Sequence, residues 1–178
     1  MRAIDVRDLL DQPGSSKHVR VEESVEGLKT ELAAVPEGEN LEGDLLLESV
    51  VEGIVVRGSV GGRMRLRCAR CLKEFDRDFD VRMDELYARE PGPEDDYVLA
   101  DDVLDPEPMV RDAVVLEMPY APVCRPDCQG LCERCGGDRN LGECVCAPEV
   151  DPRWAGLDAL LDEAALGSHE RPARPDDR

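Results

Sequence analysis

Aromatic residues are scarce in this sequence of 178 residues: two Phe, three Tyr and one Trp. An apolar share of 42% still supports a core. That core is built of Val, Leu and Ala, which bury less area per side chain than aromatics do. A chain of this length makes one ordinary domain, or one domain with a small appendage. A thin core gives a metal staple a physical purpose. Basic residues are outnumbered, 22 Lys and Arg against 41 Asp and Glu, for a net charge of −19. Such a chain repels a phosphate backbone as a whole, which argues against non-specific nucleic-acid binding, while local basic patches remain open to contact. Long apolar runs are missing too. The opening MRAIDVRDLL has no stretch fit for a signal peptide, and no segment approaches the roughly 20 apolar residues of a membrane span. The expectation is a cytoplasmic protein without membrane association, its thiols kept reduced. No Ser-His-Asp set, HExxH or phosphate-cradling Gly loop is evident, so neither enzyme activity nor a small-molecule substrate is expected. His18 and His169 read as surface residues.

Against these absences stand eight cysteines, six of them within the 23 residues from Cys124 to Cys146. The other two are Cys68 and Cys71. C-x-x-C, C-x-x-x-C and C-x-C spacings, interleaved with Gly, Pro, Asp and Arg, are those of thiolate metal ligands. Eight thiolates make two tetrahedral sets. Cys132-x-x-Cys135-Gly-Gly and Cys144-x-Cys146, joined through a tight turn at Asn140–Gly142, close a compact local set. Cys124 and Cys128 are left to pair with Cys68 and Cys71. Four thiolates leave no open coordination position, so both sites read as structural, with two zinc ions per chain expected. Iron in a four-cysteine shell or cluster is the alternative metal. A thioredoxin-type redox role is disfavoured, because no βαβ pattern surrounds either C-x-x-C.

The chain order predicts an α+β fold: an antiparallel β meander, two helices in the C-terminal half, and zinc-ribbon-like four-cysteine knuckles. The expected division is a β-rich body with a hairpin knuckle and one helix (1–123), a cysteine-rich ribbon (124–150), a C-terminal helix (151–166) and a disordered tail (167–178). Ile4, Val6, Leu9 and Leu10 are placed against the body. Strands are predicted at Lys17–Glu23, at Leu28–Val35, and then as separate runs LLLESVV, GIVVRGSV, RMRLRC and KEFDRDFDVRM, the first three set off by Gly. Setting Arg67 opposite Asp76, Arg65 opposite Asp78 and Arg63 opposite Asp80 gives one charged face and one mostly apolar face. The first C-x-x-C then sits at the hairpin tip. Arg57 to Lys73 holds six basic residues and no acidic one. Cross-strand pairing accounts for Arg63, Arg65 and Arg67 better than phosphate binding does. Arg70 and Lys73 have no assigned partner and, with Arg125, Arg134 and Arg139 near the knuckles, are the candidate partner contacts. The acidic, Pro-containing stretch from Glu90 reads as a solvated loop. Asp105 is expected to cap a helix with Pro106 in its first turn, and Asp151-Pro152 to start a second helix in the same way.

Several motifs together resemble one family. They are C-x-R-C-L at Cys68–Leu72, the E-P-x-V-R-D helix, C-x-x-x-C-x-G-L-C-x-x-C-G from Cys124 to Gly136, the C-x-C, and D-P-R-W-x-x-L. The chain resembles the YceD family, large ribosomal RNA subunit accumulation proteins, over roughly residues 1–165. The resemblance implies a non-enzymatic factor in large-subunit ribosomal RNA accumulation and ribosome biogenesis. Its expected partner is the large-subunit RNA precursor or a basic ribosomal protein. A zinc-ribbon adaptor between proteins, without RNA contact, is the alternative function.

Overall fold

Alternation of apolar and charged residues drives this fold, and the longest alternating runs form its longest strands. In a computed structural model, the described residues are 1–147 apart from 11, 91, 94 and 95, together with Arg153. The expected helix over 151–166 and the tail lie outside them. The architecture is α+β. The strands are β1 (Ile4–Asp5), β2 (Ser16–Glu23), β3 (Ala33–Ala34), β4 (Leu41–Ser49), β5 (Gly53–Arg67), β6 (Glu74–Ala88), β7 (Tyr97–Val98) and β8 (Val103–Leu104). The helices are α1 (Arg7–Leu10) and α2 (Glu107–Glu117). The main sheet runs β2-β4-β5-β6-β7, with β3 beside one end of β5, and β1 pairs separately with β8. All pairings are antiparallel except β6 with β7.

One face of the sheet carries the core. Leu41, Leu45, Leu47, Ile54, Val56, Val60, Met64 and Leu66 are fully buried on it. Val6, Leu9, Leu28, Leu104, Met109, Val110 and Val114 cover them from α1, α2, β8 and the connecting loops. Each such side chain contributes about 1.5–3 kcal/mol through the area removed from water. Because strand side chains alternate, the opposite face is solvated and charged. On it, Arg57 pairs with Asp84 and Glu48, Arg63 with Asp78, Arg65 with Asp76, and Arg67 with Glu74. An acidic column on β4, a basic one on β5 and an acidic one on β6 thus lie side by side.

Three strand expectations are corrected. GIVVRGSV and RMRLRC are one continuous strand, because Gly61 and Gly62 stay in register with Asp80 and Phe79. A Cβ on Gly62 would come within 2.9 Å of the Leu41 side chain and 3.4 Å of the Phe79 ring, so this glycine makes room for packing rather than breaking the strand. The hairpin register is shifted by two residues from the expected one: Arg63 faces Asp78, Arg65 faces Asp76 and Arg67 faces Glu74. A shift of two keeps every side chain on its face, so the two-faced pattern survives. Leu28–Val35 is a tight turn back on itself: Val35 N donates to Leu28 O, and Thr30 N to Ala33 O, leaving only β3 as strand.

The start of α2 also differs slightly. Pro106 is the boundary residue, and the Asp105 carboxylate accepts from Glu107 N at 3.0 Å, so Asp105 still satisfies an open amide of the first turn. In the N-terminal segment, Val6, Leu9 and Leu10 are buried as expected.

The ladder between β5 and β6 has a definite phase. Cys68 N donates to Lys73 O at one end and Arg89 N to Glu52 O at the other, so odd-numbered residues of β6 bond to β5. Even-numbered residues turn their main-chain groups outward, and at the β7 end Ala88 O accepts from Leu99 N.

Candidate metal centres

The β5–β6 hairpin ends in a knuckle. After Arg67, Cys68 is fully buried, and Leu72 N donates to Cys68 O at 2.9 Å while Cys68 N donates to Lys73 O at 2.9 Å. The same pair of bonds recurs further on: Gly136 N donates to Cys132 O at 2.8 Å, and Cys132 N to Gly137 O at 2.9 Å. The two C-x-x-C segments are therefore equivalent bond for bond. In each, the residue after the second cysteine is left-handed, Leu72 at φ 60° and Gly136 at φ 72°. That turn aims amides at sulfur, as Arg70 N and Cys71 N do toward Cys68 Sγ at 3.4 and 3.5 Å.

The sulfurs gather into two groups of four, Cys68, Cys71, Cys124 and Cys128, and Cys132, Cys135, Cys144 and Cys146. Within each, every Sγ lies within 4.8 Å of the others. Cys68 and Cys128 are 3.9 Å apart, and Cys71 and Cys124 are 3.7 Å apart. A tetrahedron of sulfurs about zinc has an edge of roughly 3.8 Å, given Zn–S bonds of about 2.3 Å. All eight cysteines are free thiols. Either group can hold a metal ion.

Electrostatics within each group point the same way. Burial pushes the Cys68 thiol up, but amides of Cys71, Cys124 and Arg70 more than offset it and bring it down to about 6. Amides of Cys135 and Arg134 likewise bring Cys132 down to about 6. Burial and the neighbouring thiols push Cys124 up to about 12, and the Cys135 thiol followed by burial does the same to Cys146. One thiolate forms readily in each group, and further negative charge beside it is opposed. A divalent cation removes that opposition.

The segment after α2 is sewn to the hairpin tip by backbone. Ala69 N donates to Pro122 O at 2.7 Å, and Leu131 N to Arg70 O at 3.0 Å. Gly130 is required there: at φ 74°, a Cβ would meet Arg70 O at 2.9 Å. Arg70 and Lys73, expected to lack partners, have them. Arg70 Nη1 donates to Cys128 O at 2.9 Å, and Lys73 Nζ pairs with Asp138 at 2.9 Å. Arg125 Nη2 donates to Asn140 Oδ1 at 2.8 Å and its Nε pairs with Asp127, while Arg134 donates to Ala147 O at 3.3 Å. The Cys132 thiolate beside Arg139 raises that guanidinium's pKa.

Two polar residues join the groups, and their contribution was not read from the sequence. Asp138 N-caps the 3-10 turn Arg139–Leu141, its side chain accepting from Asn140 N. Asn140 Nδ2 donates to Asp138 at 2.7 Å and contacts Cys128 Sγ at 3.6 Å, and Asn140 Oδ1 accepts from Gln129 N at 2.9 Å. An Asp-x-Asn run between cysteine pairs is an Asx-turn signature, the signal that marks them.

The fold and its paired knuckles define an α+β protein with one main sheet and two four-cysteine groups. The family model described as large ribosomal RNA subunit accumulation protein YceD matches residues 56–161, and the chain belongs to that family. An uncharacterized protein of Mycobacterium tuberculosis is 40% identical over 138 residues, covering 74% of this chain and 67% of that protein. A Mycobacterium leprae protein is 34% identical over the same length, covering 74% of this chain and 64% of its own. A maize protein named large ribosomal RNA subunit accumulation protein YCED homolog 1, chloroplastic, is 40% identical over 53 residues, 29% of this chain and 18% of that protein. No solved structure matches. Among the described residues, no helix is long and apolar enough to cross a membrane.

Proposed function

We propose that the protein is a non-enzymatic, cytoplasmic factor of large-subunit ribosome assembly whose two cysteine groups each hold one structural zinc. The observation that carries this reading is membership of a family named for large-subunit ribosomal RNA accumulation. The sulfur spacing supports the metal: four thiols within 4.8 Å of one another can complete a shell without leaving a position for substrate or water. In that role Cys68, Cys71, Cys124 and Cys128 hold the first ion, and Cys132, Cys135, Cys144 and Cys146 the second. Bound zinc would lock the hairpin tip to the chain after α2.

Arg70, Lys73, Arg125, Arg134 and Arg139 are the proposed contacts with the assembling particle. Their internal bonds hold these side chains around the metal groups. The chain's charge of −19 favours a cationic protein of the particle over bare RNA as the direct partner. The test is deletion of the gene followed by measurement of the two subunit RNAs. Selective loss of large-subunit RNA, with the protein co-sedimenting with large-subunit precursors, is expected. Unchanged RNA levels would sink the proposal.

A further inference from the structure

Among the described residues, strand β6 has no partner along one edge of its first half. Its even-numbered residues point their main-chain groups away from β5, and among the described residues no backbone bond reaches Glu74, Asp76, Asp78 or Asp80 from that side. β7 covers only Tyr87 and Ala88, and α2 packs near Val81, Met83 and Glu85. The stretch Glu74–Asp80 is paired without interruption with β5 and carries no proline. An edge of this kind is a template for another strand.

The side chains bordering it select what that strand would be. Arg63 Nε reaches one oxygen of Asp78 at 3.2 Å, and Arg65 Nε one oxygen of Asp76 at 3.2 Å. The second oxygen of each carboxylate takes no hydrogen bond among the described residues. Asp78 is 82% exposed. Asp80 stands opposite Gly61 and has no ion pair among the described residues. On the reverse face, Phe75 and Phe79 border the core, with exposed Arg77 between them. A strand added here would lay alternate residues beside carboxylates on one face and beside Phe75, Arg77 and Phe79 on the other. β5 already shows a sequence that fits the inner edge of the same strand: Arg63-Met64-Arg65-Leu66-Arg67.

We propose that the outer edge of β6, Glu74–Asp80, is the docking site for an extended segment of a partner protein in which cationic and apolar residues alternate. Main-chain bonds to the even-numbered residues supply affinity, and the carboxylates and rings supply selectivity. A phosphate backbone is disfavoured, since it would run along four acidic side chains. The proposal rests on the assembly reading only for the kind of partner, a cationic protein.

The test uses the full-length protein and the capped peptide Arg-Val-Lys-Leu-Arg-Val-Lys. Peptide binding should slow amide exchange at Glu74, Asp76, Asp78 and Asp80, and leave the odd-numbered amides, already bonded to β5, unchanged. The same peptide N-methylated at alternate amides should give no protection. Asp78→Asn with Asp80→Asn should weaken binding about three- to tenfold. No binding, equal binding of the N-methylated peptide, or protection elsewhere would overturn the site. So would equal protection by a large-subunit RNA fragment. If gene deletion leaves ribosomal RNA unchanged while the peptide still protects this edge, the assembly role fails and the docking site stands; the reverse pair of results removes the docking site alone.

Discussion

The ammonium of Lys73 lies 2.9 Å from the carboxylate of Asp138, which is only 7% exposed. Lys73 follows the first knuckle by two residues, and Asp138 follows Gly136-Gly137 of the second. Lys73 holds the Asp138 carboxyl below its usual range, and Asn140 adds to this. One ion pair therefore ties two metal groups that have no ligand in common.

Asn140 is the next link in that chain, touching Cys128 Sγ and Asp138 together. Outer-shell partners of metal ligands typically change affinity by about 10- to 100-fold when removed. Asn140→Ala should weaken metal binding at the first group by about tenfold, read by competition with a chelator. Unchanged competition would mean that Asn140 only closes its own turn.

Metal counting tests the grouping of the sulfurs. Native mass spectrometry should give two zinc ions per chain, one for each group of four. Cys132→Ser should leave one and Cys68→Ser should leave the other. Loss of both ions from a single substitution would show ligands shared across the groups.

The two knuckles allow a test of backbone strain. Gly136 has open space around its absent Cβ but sits at φ 72°. Gly136→Ala should cost about 1 kcal/mol in urea unfolding, from conformation alone. Gly43 poses the opposite problem, because its Cβ would lie 2.9 Å from Val60 Cα and closer still to Ser59 O on the facing strand. Gly43→Ala should cost about 1–3 kcal/mol, from forced separation of β4 and β5.

The charged face contributes little to stability despite its regularity. Arg63 and Asp78 are 56% and 82% exposed. A double-mutant cycle on this pair should return a small coupling that shrinks with added salt. A large coupling that survives salt would show a face more desolvated than its exposures.

Alkaline stability has an identifiable source. Burial pushes the Tyr97 phenol up to about 12, with the Asp112 carboxylate adding to the effect, and burial raises Tyr87 further. The two rings stack at 5.3 Å, and Tyr87 donates to Asp105 O at 2.7 Å. A raised folded pKa favours folding fully below the free tyrosine value, about 10, and that contribution is lost as pH rises through 12. Tyrosinate absorbance should stay low past the free value and then rise together with unfolding. Ionisation at the free value in the folded protein would contradict the burial.

The sequence made the two groups of four cysteines legible because spacing limits which sulfurs can meet. Cys135 and Cys144 are joined by eight residues that include Gly136, Gly137 and Gly142, whereas Cys124 and Cys128 can only look elsewhere. The two faces of the hairpin were legible for a similar reason, since period-two alternation labels sides. It does not label register. A slip of two residues leaves Met64 and Leu66 inside and the arginines outside, and only the Cys68 to Lys73 bond at the tip decides the pairing. Gly61-Gly62 looks like punctuation in one dimension, and its use as space for Leu41 and Phe79 appears only when β4 and β6 are laid beside β5. The partners of Arg70 and Lys73 were hidden because they lie about sixty residues downstream.

That separation has a consequence for synthesis. Cys71 and Cys124 are 53 residues apart in sequence, yet their sulfurs meet. At translation rates of roughly 5–20 residues per second, the hairpin emerges with half a binding site and waits roughly 3 to 10 s for the other half. The nascent chain is therefore a two-thiol ligand before it is a four-thiol one, and zinc acquired early would be held loosely and exchangeably. Chains stalled before Cys124 should surrender metal to a weak chelator, and chains stalled beyond Cys146 should keep it. Emergence of the stretch from Cys124 to Cys146 would then be the step that commits the metal.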